Sequence, residues 1–167
     1  METLKVNNAK VKKAINLIKE GIGIFVDVGQ HNPLQPGFIK EVVLAQLLKH
    51  DVVLDKHLPD AAKEDKVYEY LSCMITAITP TFAFDGLKTT NEEEMNRSLK
   101  RISRNDGIFF AVYEGLDVIE VYYSDTYVIH DRVRDNLLGR IAKKSKNNEH
   151  TVNITLKWVR DNCKKIR

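Results

Sequence analysis

The sequence predicts an α+β fold, a mostly antiparallel sheet of 4–5 strands packed with 4–5 helices. Three observations carry that prediction. Apolar residues recur at helical spacing through much of residues 9–105. Alternating apolar residues crowd into residues 106–158. The two kinds of segment are grouped rather than interleaved, which is the habit of α+β chains. A single domain over 1–167 is expected, in which a helix-rich lobe 1–105 and a sheet-rich basic lobe 106–167 could be distinguished.

The elements follow in order. Asn8 suits the N-cap of a helix over about 9–20, with Val11, Ile15 and Ile18 on one face and Gly21 at its end. Ile22, Ile24, Val26 and Val28 alternate and predict a strand, buried on both faces because Phe25 lies on the other side. Residues 29–37 hold Pro33 and Pro36 and read as a loop. Phe38 to His50 reads as a helix with Ile39, Val42, Val43 and Leu47 inward. Val52 to Leu54 is ambiguous. From Pro59 to Ile78 the spacing of Val67, Leu71, Met74, Ile75 and Ile78 predicts a helix that Pro80 stops. Thr81 to Phe84 is a short strand before the Asp85-Gly86 turn. Asn91 and Glu94 form a capping pattern ahead of a helix carrying Met95, Leu99 and Ile102. Ile108–Glu114, Leu116–Tyr123 and Thr126–His130 read as three strands. Asp131 would cap a helix with Val133, Leu137, Leu138 and Ile141 inward. Val152, Ile154, Leu156 and Trp158 alternate with Thr151, Asn153, Thr155 and Lys157, which predicts a final strand with a buried Trp158.

Composition narrows the function. Apolar residues make up 43% and charged residues 29%, an ordinary soluble balance. Cys73 and Cys163 are too few for a disulfide scaffold or a thiolate zinc site, so a reducing, cytoplasmic setting is expected. No apolar run approaches a membrane span, and no membrane partner is expected. The sequence lacks a Walker loop, GxGxxG, HExxH and GxSxG. No cofactor and no metal are expected.

Several polar groups nonetheless draw a chemical reading. Asp27 and His31 flank the expected strand end, where a carboxylate can orient an imidazole, although Asp27 alternates in register with Phe25 and its plainer reading is a buried, hydrogen-bonded carboxylate. His130 and Asp131 are adjacent, and Asp131 has a sufficient role as a cap. His50, Asp51, Asp55 and His57 form a small polar cluster whose plainer reading is a solvated loop. Cys73 lies between inward residues and reads as a packed thiol.

The stronger signal is charge. The net charge is +3, but residues 1–87 contain no arginine and residues 88–167 contain all eight. Between Arg132 and Arg167 there are 11 basic residues against three acids. Arg97, Arg101 and Arg104 share a helical stripe with Lys100 beside it. Arg140, Lys143, Lys144 and Lys146 make a second basic run. Arginine grips phosphate bidentately, so Arg97, Arg101, Arg104, Arg140, Lys143 and Lys144 are the candidate nucleic-acid-binding residues. Tyr113, Tyr122, Tyr123 and Tyr127 on the neighbouring strands could add stacking. Solvated faces and helix-end cations explain the same pattern without a ligand.

In overall habit the chain resembles the small early proteins of T-even bacteriophages, among them those that shut off host transcription. The segments Val6 to Lys13 and Lys143 to Asn148, rich in Lys and Asn, carry that likeness. It implies a non-enzymatic regulator whose partners are DNA and host RNA polymerase, in the host cytoplasm. It transfers no site residue. Two other readings stay open. One is a small metal-independent enzyme on a nucleotide or cyclic oligonucleotide, using Asp27, His31 and His130 with Arg101 or Arg104. The other is a protein–protein inhibitor.

Overall fold

The computed structural model describes residues 8–35, 37–55, 57–88, 91–142 and 149–167. Among the described residues, five helices and eight strands in two sheets make an α+β fold, as the sequence predicts, though the main sheet is mixed rather than purely antiparallel. The elements run α1 (Ala9–Asp27), α2 (Phe38–Leu48), β1 (Asp51–Val52), β2 (Ala61–Lys63), β3 (Lys66–Met74), β4 (Thr81–Lys88), α3 (Glu92–Ser103), β5 (Gly107–Glu114), β6 (Asp117–Asp125), α4 (Thr126–Ala142), β7 (Glu149–Thr155), α5 (Leu156–Asn162) and β8 (Lys164–Lys165). The chain divides into two compact units, 1–39 and 40–167.

In the first unit, Asn8 Oδ1 accepts the Lys10 amide at 2.8 Å and caps α1 as expected. The expected strand over residues 22–28 is instead the second half of α1. The alternation of Ile22, Ile24, Val26 and Val28 is compatible with both periods, and Gly21 and Gly23 did not break the helix. Gly29, at φ 94°, ends it in the left-handed conformation that glycine adopts without strain. None of the 19 residues of α1 is buried.

In the second unit the main sheet has the order β1-β2-β3-β5-β6-β8. β3 and β5 are parallel, with Tyr70 opposite Phe109 and Leu71 opposite Phe110. All other neighbours are antiparallel. The stretch from Pro59 to Ile78 is therefore the hairpin β2–β3 and not a helix. Its two-residue turn needs a positive φ at Glu64 (56°), a place where glycine is usual, so no turn signal marks it. β4 and β7 form a separate antiparallel pair with an irregular register between Phe84 and Leu87.

The alternation of β3 and β5 sorts side chains to two cores. Leu71, Cys73, Ile108, Phe110 and Val112 face β4, β7, α3, α4 and α5, where Phe82, Leu99, Val133 and Ile154 are buried. Tyr70, Phe109, Ala111 and Tyr113 face Leu44 and Ala45 of α2. The inward face of α2 thus centres on Leu44 and Ala45, while the expected Leu47 is exposed. β5 is covered on both sides, and Ile108 to Tyr113 are all buried.

Two further expectations change. Thr126 to His130 opens α4 and is not a strand, because Ile129, Val133 and Leu137 bury at helical spacing and outweigh the β-branched composition. Asp131 is consequently interior to that helix and caps nothing. The final strand stops at Thr155, whose hydroxyl accepts the Trp158 amide at 3.2 Å and caps α5. Val152, Ile154 and Leu156 are buried as predicted, but Trp158 sits on α5, only partly buried, with the Arg132 guanidinium 5.5 Å from its ring centre. Among the described residues no helix is long and apolar enough to cross a membrane.

Candidate nucleic-acid interface

The arginine stripe is a helix face set by α3's own sequence. Asn91 Oδ1 accepts the Glu94 amide at 2.9 Å and starts the helix. Met95, Ser98, Leu99 and Ile102 bury inward, and that leaves Arg97, Lys100, Arg101 and Arg104 outward and exposed. Three acids in the first turn and two cations in the last suit the helix dipole, so part of the pattern has a structural cause.

The stripe does not act as one surface. Arg97 meets Glu93 at 3.0 Å in an exposed pair that solvent largely screens. Arg101 donates to the Asp85 carbonyl at 3.4 Å. Arg104 turns away and donates to the His57 carbonyl. It also lies in the field of two carboxyls, Asp60 and Glu69. Burial raises both, and Asp60 adds to the effect on Glu69, which is pushed up to about 8. Asp60 Oδ2 accepts the Tyr70 amide at 2.7 Å. Glu69, Asp85 and Arg101 border a small cavity of 50 Å³ floored by Leu71, Phe84 and Ile102.

Beside it lies a larger cleft of 290 Å³, lined by Gly86, Lys88, Glu94, Arg97, Ser98 and Arg101. It forms where β4 loses its regular pairing with β7 between Phe84 and Leu87. Ser98 is tied to the Lys88 backbone, whose amide reaches its Oγ at 2.8 Å. Lys88, Arg97 and Arg101 therefore converge on one concave site, the arrangement that suits an anion.

Arg140 of the second basic run is also committed. It donates to Asn136 Oδ1 at 3.1 Å and to the Thr151 carbonyl at 2.9 Å. The Thr151 hydroxyl in turn reaches Asp85 Oδ1 at 2.6 Å. Arg101 and Arg140 thus hold opposite ends of one Asp85–Thr151 link. Lys143 and Lys144 lie outside the described residues.

The expected tyrosine platform is absent as such. Tyr113 and Tyr122 are buried and Tyr123 is half-buried, while Tyr127 is exposed on α4. Tyr113 donates to the Lys40 carbonyl at 2.7 Å, and Tyr122 to Glu120 at 2.6 Å. Glu120 is also gripped by Arg160 at 2.5 and 3.1 Å, which ties α5 to β6 and holds the Glu120 carboxyl below its usual range.

The acid–base candidates do not assemble. Asp27 is the last residue of α1, exposed, and not at a strand end. His31 is exposed in the following loop, whereas His130 belongs to the other unit and meets Asp131 at 3.2 Å. His50 packs flat on Tyr68 at 4.7 Å and meets the Tyr70 hydroxyl at 2.7 Å, and burial lowers its pKa. Asp55 accepts the His57 amide at 2.9 Å in a local turn. Cys73 is buried, and its thiol is pushed up to about 11, so it is inert at neutral pH. Among the described residues no group of three or more His, Cys, Asp or Glu is placed to hold a metal ion.

Sequence reasoning missed Lys88, Glu94 as a cleft residue, and the Asp60–Glu69 pair. Glu94 was read only as the partner of Asn91, and the two carboxyls meet only once β2–β3 is a hairpin. A scan against models of known protein families and a search of curated proteins both return no match.

Proposed function

We propose that the protein is a non-enzymatic regulatory protein that binds nucleic acid, with Arg97 and Arg101 of α3 and Lys88 of β4 as its phosphate grip. The observation that carries this reading is the convergence of those three cations on one cleft. The resemblance to phage early proteins agrees with it and adds a nucleic-acid machine, RNA polymerase, as the second partner. Arg104 and Arg140 serve the fold in this reading: Arg104 donates to the His57 carbonyl, Arg140 to Asn136 and the Thr151 carbonyl, and the cleft is lined by neither.

Arg97→Ala with Arg101→Ala tests it, because both side chains are exposed and their loss leaves the core intact. The double variant should fold normally. Its slope of log affinity against log salt should fall by about 0.7 per lost contact on single strands and about 0.9 on duplex. An unchanged slope with binding retained removes this face from the mechanism.

A second reading rests on Asp60 and Glu69. A carboxyl pushed up to about 8 by burial and by Asp60, in the field of Arg104 and Arg101, is a candidate proton donor for acid–base chemistry on a phosphorylated substrate. Turnover of nucleotides that Glu69→Gln abolishes would support it over the binding reading.

A further inference from the structure

α1 carries more apolar surface than its own unit covers. None of its residues is buried. Phe25 meets Phe38 edge-on at 5.4 Å, and Val11, Ile22 and Phe25, which share one line of the helix, are half-buried. A second line runs beside it through Ala14, Leu17, Gly21, Ile24 and the capping residue Val28, at alternating steps of three and four. That is the spacing of a two-helix seam. Its large members are the more open ones: Leu17, Ile24 and Val28 are 58%, 60% and 69% exposed, against 46% for Ile15 and 40% for Val26. Gly21 stands at the middle of the seam, and the place its side chain would take has no atom within 4 Å. A glycine inside a helix weakens it, so this one is a cost that nothing in the same unit offsets.

We infer that this seam pairs two copies of the chain, α1 against α1, antiparallel about a two-fold axis. Size and charge both select that direction. With Leu17 opposite Gly21 of the second copy, Ala14 falls opposite Ile24, so each layer sets a large side chain against a small one. A parallel pair would set Leu17 on Leu17 and Gly21 on Gly21, crowding one layer and leaving a gap in the other. Lys10, Lys12, Lys13 and Lys19 all lie in the first half of the helix, and Glu20 and Asp27 in the second. In the antiparallel register Lys13, on one flank, comes opposite Asp27 of the second copy, and the symmetry makes that pair twice. The other flank is apolar, with Val11 opposite Phe25 and Ile18 opposite itself. Glu20 meets its own copy near the axis and is the one unfavourable pair. A lipid surface would suit the lysines, but it makes no use of a small residue set against each large one or of acids set against lysines. A strip about 28 Å long is at the low end of stable interfaces, so the dimer should dissociate on dilution through the micromolar range.

The experiment is analytical ultracentrifugation of the full chain over a dilution series, with circular dichroism to check that each variant folds. The wild type should pass from two chain masses to one on dilution. Gly21→Leu should fold at least as well, since leucine is the better helix former, yet lose the dimer, because Leu17 of the other copy then has no space. Lys13→Glu and Asp27→Lys should each weaken the dimer about tenfold, as two pairs become like-charged. An equimolar mixture of those two variants should regain nearly wild-type affinity, because the mixed dimer sets opposite charges together in both pairs. Glu20→Gln should tighten the dimer. A chain that stays monomeric throughout the series overturns the inference, and its sedimentation with phosphatidylserine vesicles would give the face to lipid instead. A dimer that Gly21→Leu leaves unchanged, or a mixture no tighter than either charge variant alone, also overturns it. The Arg97→Ala, Arg101→Ala double variant should remain dimeric, so failure of the phosphate grip and failure of the pairing are read separately.

Discussion

Glu69 has the most displaced carboxyl of the second unit's polar cluster, and its effect on stability has a definite sign. Burial and Asp60 push it up to about 8, so the folded protein carries a proton there that the unfolded chain releases above the ordinary carboxylate range. The stability it contributes is fully present at acid pH and is lost as pH rises toward 8. Glu69→Gln should therefore flatten the decline in unfolding free energy between about pH 5 and 8. Urea melts at several pH values check this, and parallel curves for variant and wild type would contradict it. Gly107 sits one strand away under a different constraint. A Cβ there would lie 2.3 Å from the Tyr123 ring, which lets that tyrosine lean over the start of β5.

The elements show which sequence signals survive packing and which do not. Where spacing and capping agree, as in α3 with Asn91, Met95, Leu99 and Ile102, the helix was legible to within a residue or two. The β5–β6 hairpin was legible for the same reason, since an apolar run meets Gly115 at its turn. Residues 59–78 were not. Val67, Leu71 and Met74 fit a helical stripe, and only pairing with β5 tells that Tyr70 and Leu71 face opposite cores. The candidate site was half legible. Arg97 and Arg101 could be read from spacing, and Glu94 lies one turn before Arg97 on the same helix, but Lys88 joins them only through the β4 irregularity. At the last strand the alternation stayed true to Leu156 and then misled, because Thr155 caps a helix that carries Trp158 to the edge of the core. Trp158→Ala should accordingly cost about 2 kcal/mol, below the ~3–5 kcal/mol of a fully buried aromatic. Thermal or urea unfolding of the single variant measures it.

At the scale of the whole molecule, burial is sharply uneven. β5 is enclosed between two cores, whereas α1 has no buried residue and leaves Leu17 and Ile24 more than half exposed. Protection should follow that division, since local opening costs little where few apolar contacts are lost. Native-state amide exchange of the dilute, monomeric chain should find the slowest amides between Ile108 and Tyr113 and the fastest helical ones in α1. Equal protection in both elements of the monomer would contradict this division.

The parallel seam between β3 and β5 also governs how the chain reaches this state. The hairpins β2–β3 and β5–β6 close locally, but the seam joins strands separated by residues 75–106, which travel through β4 and α3 first. Loop closure on that scale places the seam late and makes it the slow step of folding. During synthesis β3 emerges well before its partner strand exists. Its open edge, with Tyr70, Leu71 and Cys73 still uncovered, is then the stretch most prone to mispairing with another nascent chain.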